Sequence, residues 1–282
     1  MPIYRGNVGN LLQHWVLCEI LNASQDHAGR LLLIDSHAMS PFATERPRLD
    51  VTALLFDRVR TRLPGARSPY EEARHRLAAL APNRTGYPNS ASFVVNMWHH
   101  NLSLLLCEAD PATVGELRAW AHEMGLSDGC VFDGDWRLRF NQELPVSADL
   151  VFFSFDQYVI SHVPVGCPKP ADMYPDDLDL LAAAVARIPR DTVVQLSTYS
   201  ANNGNSQHEV TSEVQSRLSR AGLEVAAKVR PLRRDGQPNL QMMSLVLTRA
   251  LPWASALRDL EIRFHSWLRG AMEYTGEVPL GS

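Results

Sequence analysis

Four acidic positions in this chain stand where an apolar run stops. Residues 31–35 read Leu-Leu-Leu-Ile-Asp, 104–108 read Leu-Leu-Leu-Cys-Glu, 130–133 read Cys-Val-Phe-Asp, and 150–156 read Leu-Val-Phe-Phe-Ser-Phe-Asp. A short apolar run closed by an acid is the signature of a strand in a nucleotide-binding α/β sheet. The carboxylate emerges at the carboxyl edge, where ligands bind, and accepts hydrogen bonds from hydroxyl and amino groups. The residues around these acids extend the set of candidates. Asp35 is followed by Ser36 and His37, Asp133 by Gly134 and Asp135, and Asp156 by Gln157 and Tyr158.

Elements that would position these groups follow from hydrophobic periodicity and breakers. Helices are expected over 11–22, 50–63, 69–80, 90–99, 110–124, 177–187, 209–221 and 254–268, with Ser90 as the cap of the fourth. Strands are expected at 31–35, 102–107, 130–132, 150–155, 192–196, 224–229 and 241–248. The run at 150–155 is apolar throughout, as in a strand buried on both faces. The last two strands, separated by a turn at Asp235-Gly236, read as an antiparallel hairpin. Strands alternating with helices indicate an α/β fold, a Rossmann-like sheet with helices on both faces. Residues 45–86 read as a small helical insertion between residues 1–44, which hold the first strand, and residues 87–282, which complete the domain.

Composition narrows the classes further. The 282 residues, 45% of them hydrophobic, suffice for one sizeable core. No apolar run approaches the roughly 18 to 20 residues that span a bilayer, and the start lacks a signal-peptide pattern, so a cytoplasmic protein is expected. Cys18, Cys107, Cys130 and Cys167 lack metal-ligand or disulfide spacing and read as reduced thiols, with no metal expected. The formal net charge of −4 gives no global attraction to nucleic acid. Between Glu45 and Arg84, however, nine arginines face five acids, a local balance of +4. That segment, with Arg58, Arg60 and Arg62 at its centre, reads either as a phosphate-facing surface or as a solvated helical face with pairs such as Glu72–Arg76.

Short motifs spread along most of the chain resemble the RlmJ-type family of 23S ribosomal RNA adenine-N6 methyltransferases, which belong to the class I S-adenosylmethionine-dependent enzymes. Tyr4-Arg5 precedes Gly6-Asn7-Val8-Gly9-Asn10-Leu11-Leu12-Gln13-His14, matching the family's Gly-Asn-x-x-Asp-x-x-Lys-His element. Asp35-Ser36-His37-Ala38-Met39 is similar to its Asp-Thr-His-Ala-Gly, and Tyr87-Pro88-Asn89-Ser90-Ala91 to its Tyr-Pro-Gly-Ser-Pro. Glu108-Ala109-Asp110-Pro111 resembles Glu-x-x-Pro, Phe132-Asp133-Gly134 resembles Ala-Asp-Gly, and Pro252-Trp253 sits where the family has Pro-Pro-Trp.

The resemblance implies S-adenosylmethionine as cofactor and assigns roles. Glu108 would accept both ribose hydroxyl hydrogens, the bland alternative being an exposed helix-capping acid. Asp133, with Asp135 as its competitor, would accept from the adenine amino group, or else simply form an Asp-Gly turn. Asp35, Ser36 and His37 would approach the methionine portion, Ser90 would donate to its carboxylate, and His14 is open between packing and a cofactor-side contact. Asp156, Gln157, Tyr158 and Tyr4 would hold and stack on the methyl acceptor, an RNA or DNA base reached through the arginine-rich insertion, or a smaller molecule.

The departures from the family pattern are as specific as the matches. Met39 and Pro41 stand where glycines let the backbone approach the cofactor, so that loop takes another path or the pocket is altered. The acceptor motif Asp-Pro-Pro-Tyr is replaced by Phe155-Asp156-Gln157-Tyr158, in which either Phe155 or Asp156 occupies the aspartate's place. Gln13 and Asn10 remove charge from the amino-terminal element. Two readings follow: a working methyltransferase with an altered acceptor site, or an inactive descendant that keeps the fold as a binding or scaffold module.

Overall fold

The computed structural model describes residues 8–43, 68–80, 87–144, 147–158, 173–188, 190–199, 207–232, 242–249 and 251–274. Tyr4, Cys167, the helix expected at 50–63 with Arg58, Arg60 and Arg62, and the turn at Asp235-Gly236 lie outside them. So do the side chains of Asp156, Gln157 and Tyr158.

The chain opens with helix α1 (Val8–Ser24), which is buried almost all round, and strand β1 (Arg30–Asp35) follows. A two-residue strand β2 (Phe42–Ala43) pairs antiparallel with β3 (Tyr87–Pro88), on either side of helix α2 (Pro69–Leu80). Then come α3 (Ser90–Met97), β4 (Asn101–Glu108), α4 (Pro111–Glu123), β5 (Val131–Asp133), the short α5 (Trp136–Phe140) and β6 (Leu150–Tyr158). The second half holds α6 (Pro175–Ala186), β7 (Asp191–Tyr199), α7 (Gln207–Leu218), β8 (Glu224–Val229), β9 (Met242–Thr248) and α8 (Leu260–Tyr274).

Seven of these strands form one sheet in the order β5-β4-β1-β6-β7-β9-β8. Every strand runs parallel to the rest except β9, which lies antiparallel between β7 and β8, so the expected terminal hairpin is present. The order reverses between β1 and β6, the switch point that opens a crevice at the carboxyl edge of a doubly wound sheet. This is a Rossmann-like, doubly wound sheet with helices on both faces.

Alternation along the central strands builds two cores, because successive side chains of a strand point to opposite faces. Leu31 and Leu33, Leu104 and Leu106, and Leu150 and Phe152 join α1 to α4 and α8 on one face. Leu32 and Ile34, Leu105 and Cys107, and Val151, Phe153 and Phe155 join α5, α6 and α7 on the other. Cys18, Cys107 and Cys130 are buried free thiols. Burial pushes the Cys107 thiol up to about 12, so it stays protonated.

Several expectations need correction. Helix α3 is capped by Asn89, not Ser90: the Asn89 side chain accepts from the Ser92 amide, and Ser90 is the first helical residue. The carboxyl-terminal helix begins at Leu260, later than expected, because residues Pro252–Leu257 form a 3-10 turn. Strand β6 continues past Phe155 to Tyr158, since pairing with β7 resumes at Tyr158 and Thr198 after a register irregularity. Helix α5 and the small β2–β3 ribbon were missed; each is too short to show a period.

Among the described residues, no helix is long and apolar enough to cross a membrane, and no group of three or more His, Cys, Asp or Glu side chains is placed to hold a metal ion.

Candidate functional site

Asp35 ends β1 with its carboxylate turned back along the chain, where Oδ1 accepts the His37 amide at 3.1 Å. This local bond starts the loop that crosses the end of β4. Ser36 fastens the same loop to the neighbouring strand, its amide and its hydroxyl both donating to the Ser154 carbonyl at 3.1 and 3.2 Å. On the other side, the Ala38 amide donates to the Cys107 carbonyl at 3.1 Å, and the Met39 amide to Glu108 Oε2 at 3.1 Å.

Met39 carries φ 56°, the left-handed region that glycine enters without cost. Met39 thus takes, as a non-glycine residue, the backbone conformation that glycine favours. Met39 is also among the residues that line the cleft. Asn89 holds this turn, its Nδ2 donating to the carbonyls of Ala38 at 2.7 Å and Met39 at 3.1 Å while Oδ1 caps α3. One carboxamide therefore joins the loop after β1 to the start of α3.

The open cleft is lined by Gln13, His14, His37, Met39, Asn89 and Ser90, among others. His14 bridges two elements: Nδ1 lies 2.9 Å from the Tyr87 hydroxyl and Nε2 lies 3.1 Å from the Ser90 hydroxyl. Its ring stacks on Tyr87 at a centroid distance of 5.3 Å and lies tilted against Phe93 at 4.8 Å. Burial, reinforced by the nearby Arg74 charge, lowers its pKa to about 3, so the ring is neutral. Gln13 reaches the sheet, where its Nε2 donates to Ser154 Oγ at 3.3 Å.

Glu108 and Asp133 are direct neighbours in the parallel register of β4 and β5. Glu108 Oε1 accepts the amides of Ala109 and Asp110 at 2.8 and 2.9 Å, and Asp110 in turn caps α4 through the Thr113 amide at 2.9 Å. The helix-capping role weighed for Glu108 belongs instead to Asp110. Asp133 is half exposed, with Arg118 3.8 Å away, and Gly134 takes φ 145° as its amide donates to the Glu108 carbonyl at 2.8 Å. Asp135 points elsewhere: it caps α5 and pairs with Arg137 at 3.0 Å.

The structure thus gathers His14, His37 and Ser90 around one cleft, with Asp35 and Ser36 shaping the loop beside it. Glu108 reaches the cleft through the Met39 amide, and Asp133 stands next to Glu108. On β6, Phe155 packs against Trp136 at 5.2 Å and Phe140 at 5.8 Å in the opposite core. Of the two alignments of the acceptor motif, the one that gives Phe155 the aspartate's place therefore puts a core side chain there. Tyr87, Asn89 and Arg137 were not singled out as site residues. Asn89 carried a signal, a cap-forming residue directly before an apolar helical run, and Tyr87 opened a motif matched by resemblance; Arg137 carried none.

No protein-family model matches the sequence, and comparison with curated proteins finds no match. Among solved structures, the chain is similar to a Legionella pneumophila protein of a family of unknown function, DUF519, with 16% identity, a TM-score of 0.56 and 94% of each chain covered. It is also similar to an rRNA methylase from Streptococcus thermophilus, at 11% identity and a TM-score of 0.42 over 89% of this chain and 100% of that one. A third neighbour is M. jannaschii TYW2 in complex with AdoMet, at 12% identity and a TM-score of 0.39 over 86% and 75% of the two chains. Likeness at these identities is likeness of fold.

Proposed function

We propose that this protein is an S-adenosylmethionine-dependent methyltransferase whose acceptor is a nucleic-acid base. The observation that carries the reading is the pair Glu108 and Asp133, adjacent in register at the carboxyl edge and joined to the cleft through the Met39 amide. Two carboxylates on neighbouring strands suit a ribose diol and an exocyclic amine, and each lies one residue or less from the end of its strand. The cofactor would supply an electrophilic methyl group on a sulfonium.

The remaining residues support that fit. Glu108 keeps one acceptor site, on Oε2, beyond those engaged by three amides, since a carboxylate offers about four; that site suits one hydroxyl of a ribose. Ser90 opens α3, so its hydroxyl and the helix amides favour a carboxylate at that end of the cleft. Neutral His14 fixes Ser90 from behind without adding a charge. Asp156, one residue past the buried Phe155, is the group we assign to accept from the acceptor's amine, with Gln157 beside it and Tyr158 and Tyr4 to stack on the base. Holding donor and acceptor in line accounts for the rate enhancement such a site needs. The arginine-rich segment would receive the phosphates of the acceptor.

Calorimetric titration with S-adenosylmethionine and S-adenosylhomocysteine tests the reading. Micromolar binding is expected for the unaltered protein, none for Glu108→Ala, and undiminished binding for Asp156→Ala together with loss of methyl transfer to ribosomal RNA fragments. Absence of binding by the unaltered protein would leave the scaffold reading in its place.

A further inference from the structure

Two residues after Asp133 the chain carries a second carboxylate, Asp135, chemically an equal candidate for an exocyclic amine. The structure removes it from the competition. Its Oδ1 accepts the Arg137 amide at 2.9 Å, and Arg137 Nη1 donates to Oδ1 and Oδ2 at 3.2 and 3.0 Å. The other edge of the same guanidinium forks onto Asp177 in the first turn of α6, with Nε to Oδ1 at 2.8 Å and Nη2 to Oδ2 at 2.7 Å. Asp177 Oδ2 also accepts the Tyr174 amide at 2.8 Å. The guanidinium lies over Trp136 at 4.8 Å, and the side chains of Arg137, Asp135 and Asp177 are only 14%, 26% and 12% exposed.

Asp133 stands in contrast. Its contact with Arg118 spans 3.8 Å between side chains 52% and 49% exposed, a pair that water and salt screen and that a ligand can displace. A mostly buried fork cannot be displaced so readily, because removing one partner strands a charge.

We propose that Arg137 is a positioning residue for adenine recognition: by holding Asp135 against Asp177 it leaves Asp133 as the carboxylate of this turn that meets the 6-amino group of a purine. The proposal rests on the methyltransferase reading. It assigns selectivity for a 6-amino over a 6-oxo purine to the direction in which two carboxylates face. A 6-oxo purine turns an acceptor toward Asp133, so it is rejected; a freed Asp135 would add an alternative acceptor, reachable by the ring N1–H of the oxo form, and blur the choice.

The test compares affinities for S-adenosylhomocysteine and its 6-oxo analogue S-inosylhomocysteine in the full-length protein, Arg137→Met and Arg230→Met. Arg230 makes a fork of similar geometry onto Glu261, at 2.6 and 2.9 Å, beside β8 at the opposite edge of the sheet, and controls for loss of a structural ion pair. The unaltered protein should prefer the amino form about tenfold, Arg137→Met about twofold or less, and Arg230→Met the original tenfold. If Arg137→Met does not fold, Arg137→Lys, which keeps the charge and loses the double fork, should show an intermediate preference. An unchanged ratio in the folded Arg137 variant overturns the proposal alone. Binding of both analogues without preference by the unaltered protein overturns it together with the role of Asp133, and binding of neither overturns the methyltransferase reading as well.

Discussion

His14 sits on a helix that is buried almost all round, with a phenol on one ring nitrogen and a serine hydroxyl on the other. Neither partner carries charge, so nothing in its first contacts offsets the cost of protonation, and its pKa falls from 6.5 to about 3. The unfolded chain takes up a proton near pH 6.5 while the folded chain does not. Stability therefore falls as pH drops from about 6.5 toward 3, and above that window the group contributes no pH dependence. At 1.36 kcal/mol per pH unit, the loss between pH 7 and 4.5 is about 2 to 3 kcal/mol. His14→Gln, which keeps a hydrogen-bonding side chain without the titration, should flatten the dependence by that amount in urea unfolding at the two pH values. A difference between pH 7 and 4.5 as steep as in the unaltered protein would show that His14 is not the responsible group.

At the scale of elements, the loop after β1 and the start of α3 behave as one unit because Asn89 bonds both. Non-glycine residues with positive φ persist when their surroundings over-determine them, and here the Glu108 carboxylate holds the Met39 amide while Asn89 holds the Met39 carbonyl. Asn89→Ala removes the cap and both carbonyl bonds. It should lower stability by about 2 kcal/mol and weaken cofactor affinity, with faster exchange of the Ala38 and Met39 amides. Protection at those amides unchanged by the substitution would mean that the loop holds its shape without α3. Alternation shapes β6: it sends Phe153 and Phe155 into one core and the Ser154 hydroxyl toward Gln13, while the Ser154 carbonyl accepts from Ser36.

For the whole molecule, the decisive quantity is charge against position. A net charge of −4 repels polynucleotides at long range, while the stretch from Glu45 to Arg84 carries +4. If that stretch meets phosphates, reversing Arg58, Arg60 and Arg62 to Glu should weaken RNA binding and flatten the log–log salt dependence by about 2 to 3, near one for each lost contact. A salt slope equal to that of the unaltered protein would make the segment a solvated face. The described part of the insertion has a second task in any case: α2 buries Tyr70, Ala73, Arg74 and Leu77 beside α1 and α3, and Arg74 lies 5.8 Å over the Tyr87 ring behind the cleft.

By itself the sequence determined the seven strands of the main sheet and three of the acids that close them, because an apolar run ended by a carboxylate encodes both burial and a carboxyl edge in a few adjacent residues. The α/β class, the terminal hairpin and the positions of Asp35, Glu108 and Asp133 were legible for that reason. Tertiary structure decided which of these groups share a site. Strand order set Glu108 beside Asp133 across two chain segments, and α1 brought His14 to Tyr87 and Ser90 from more than seventy residues away. It also decided which acid is withdrawn: Asp135 looks like Asp133 in the sequence, and only Arg137 and Asp177, the latter forty residues further on, turn it away. Local patterns specify what a segment buries, whereas the partner of a polar side chain is chosen by packing between segments that the sequence keeps apart.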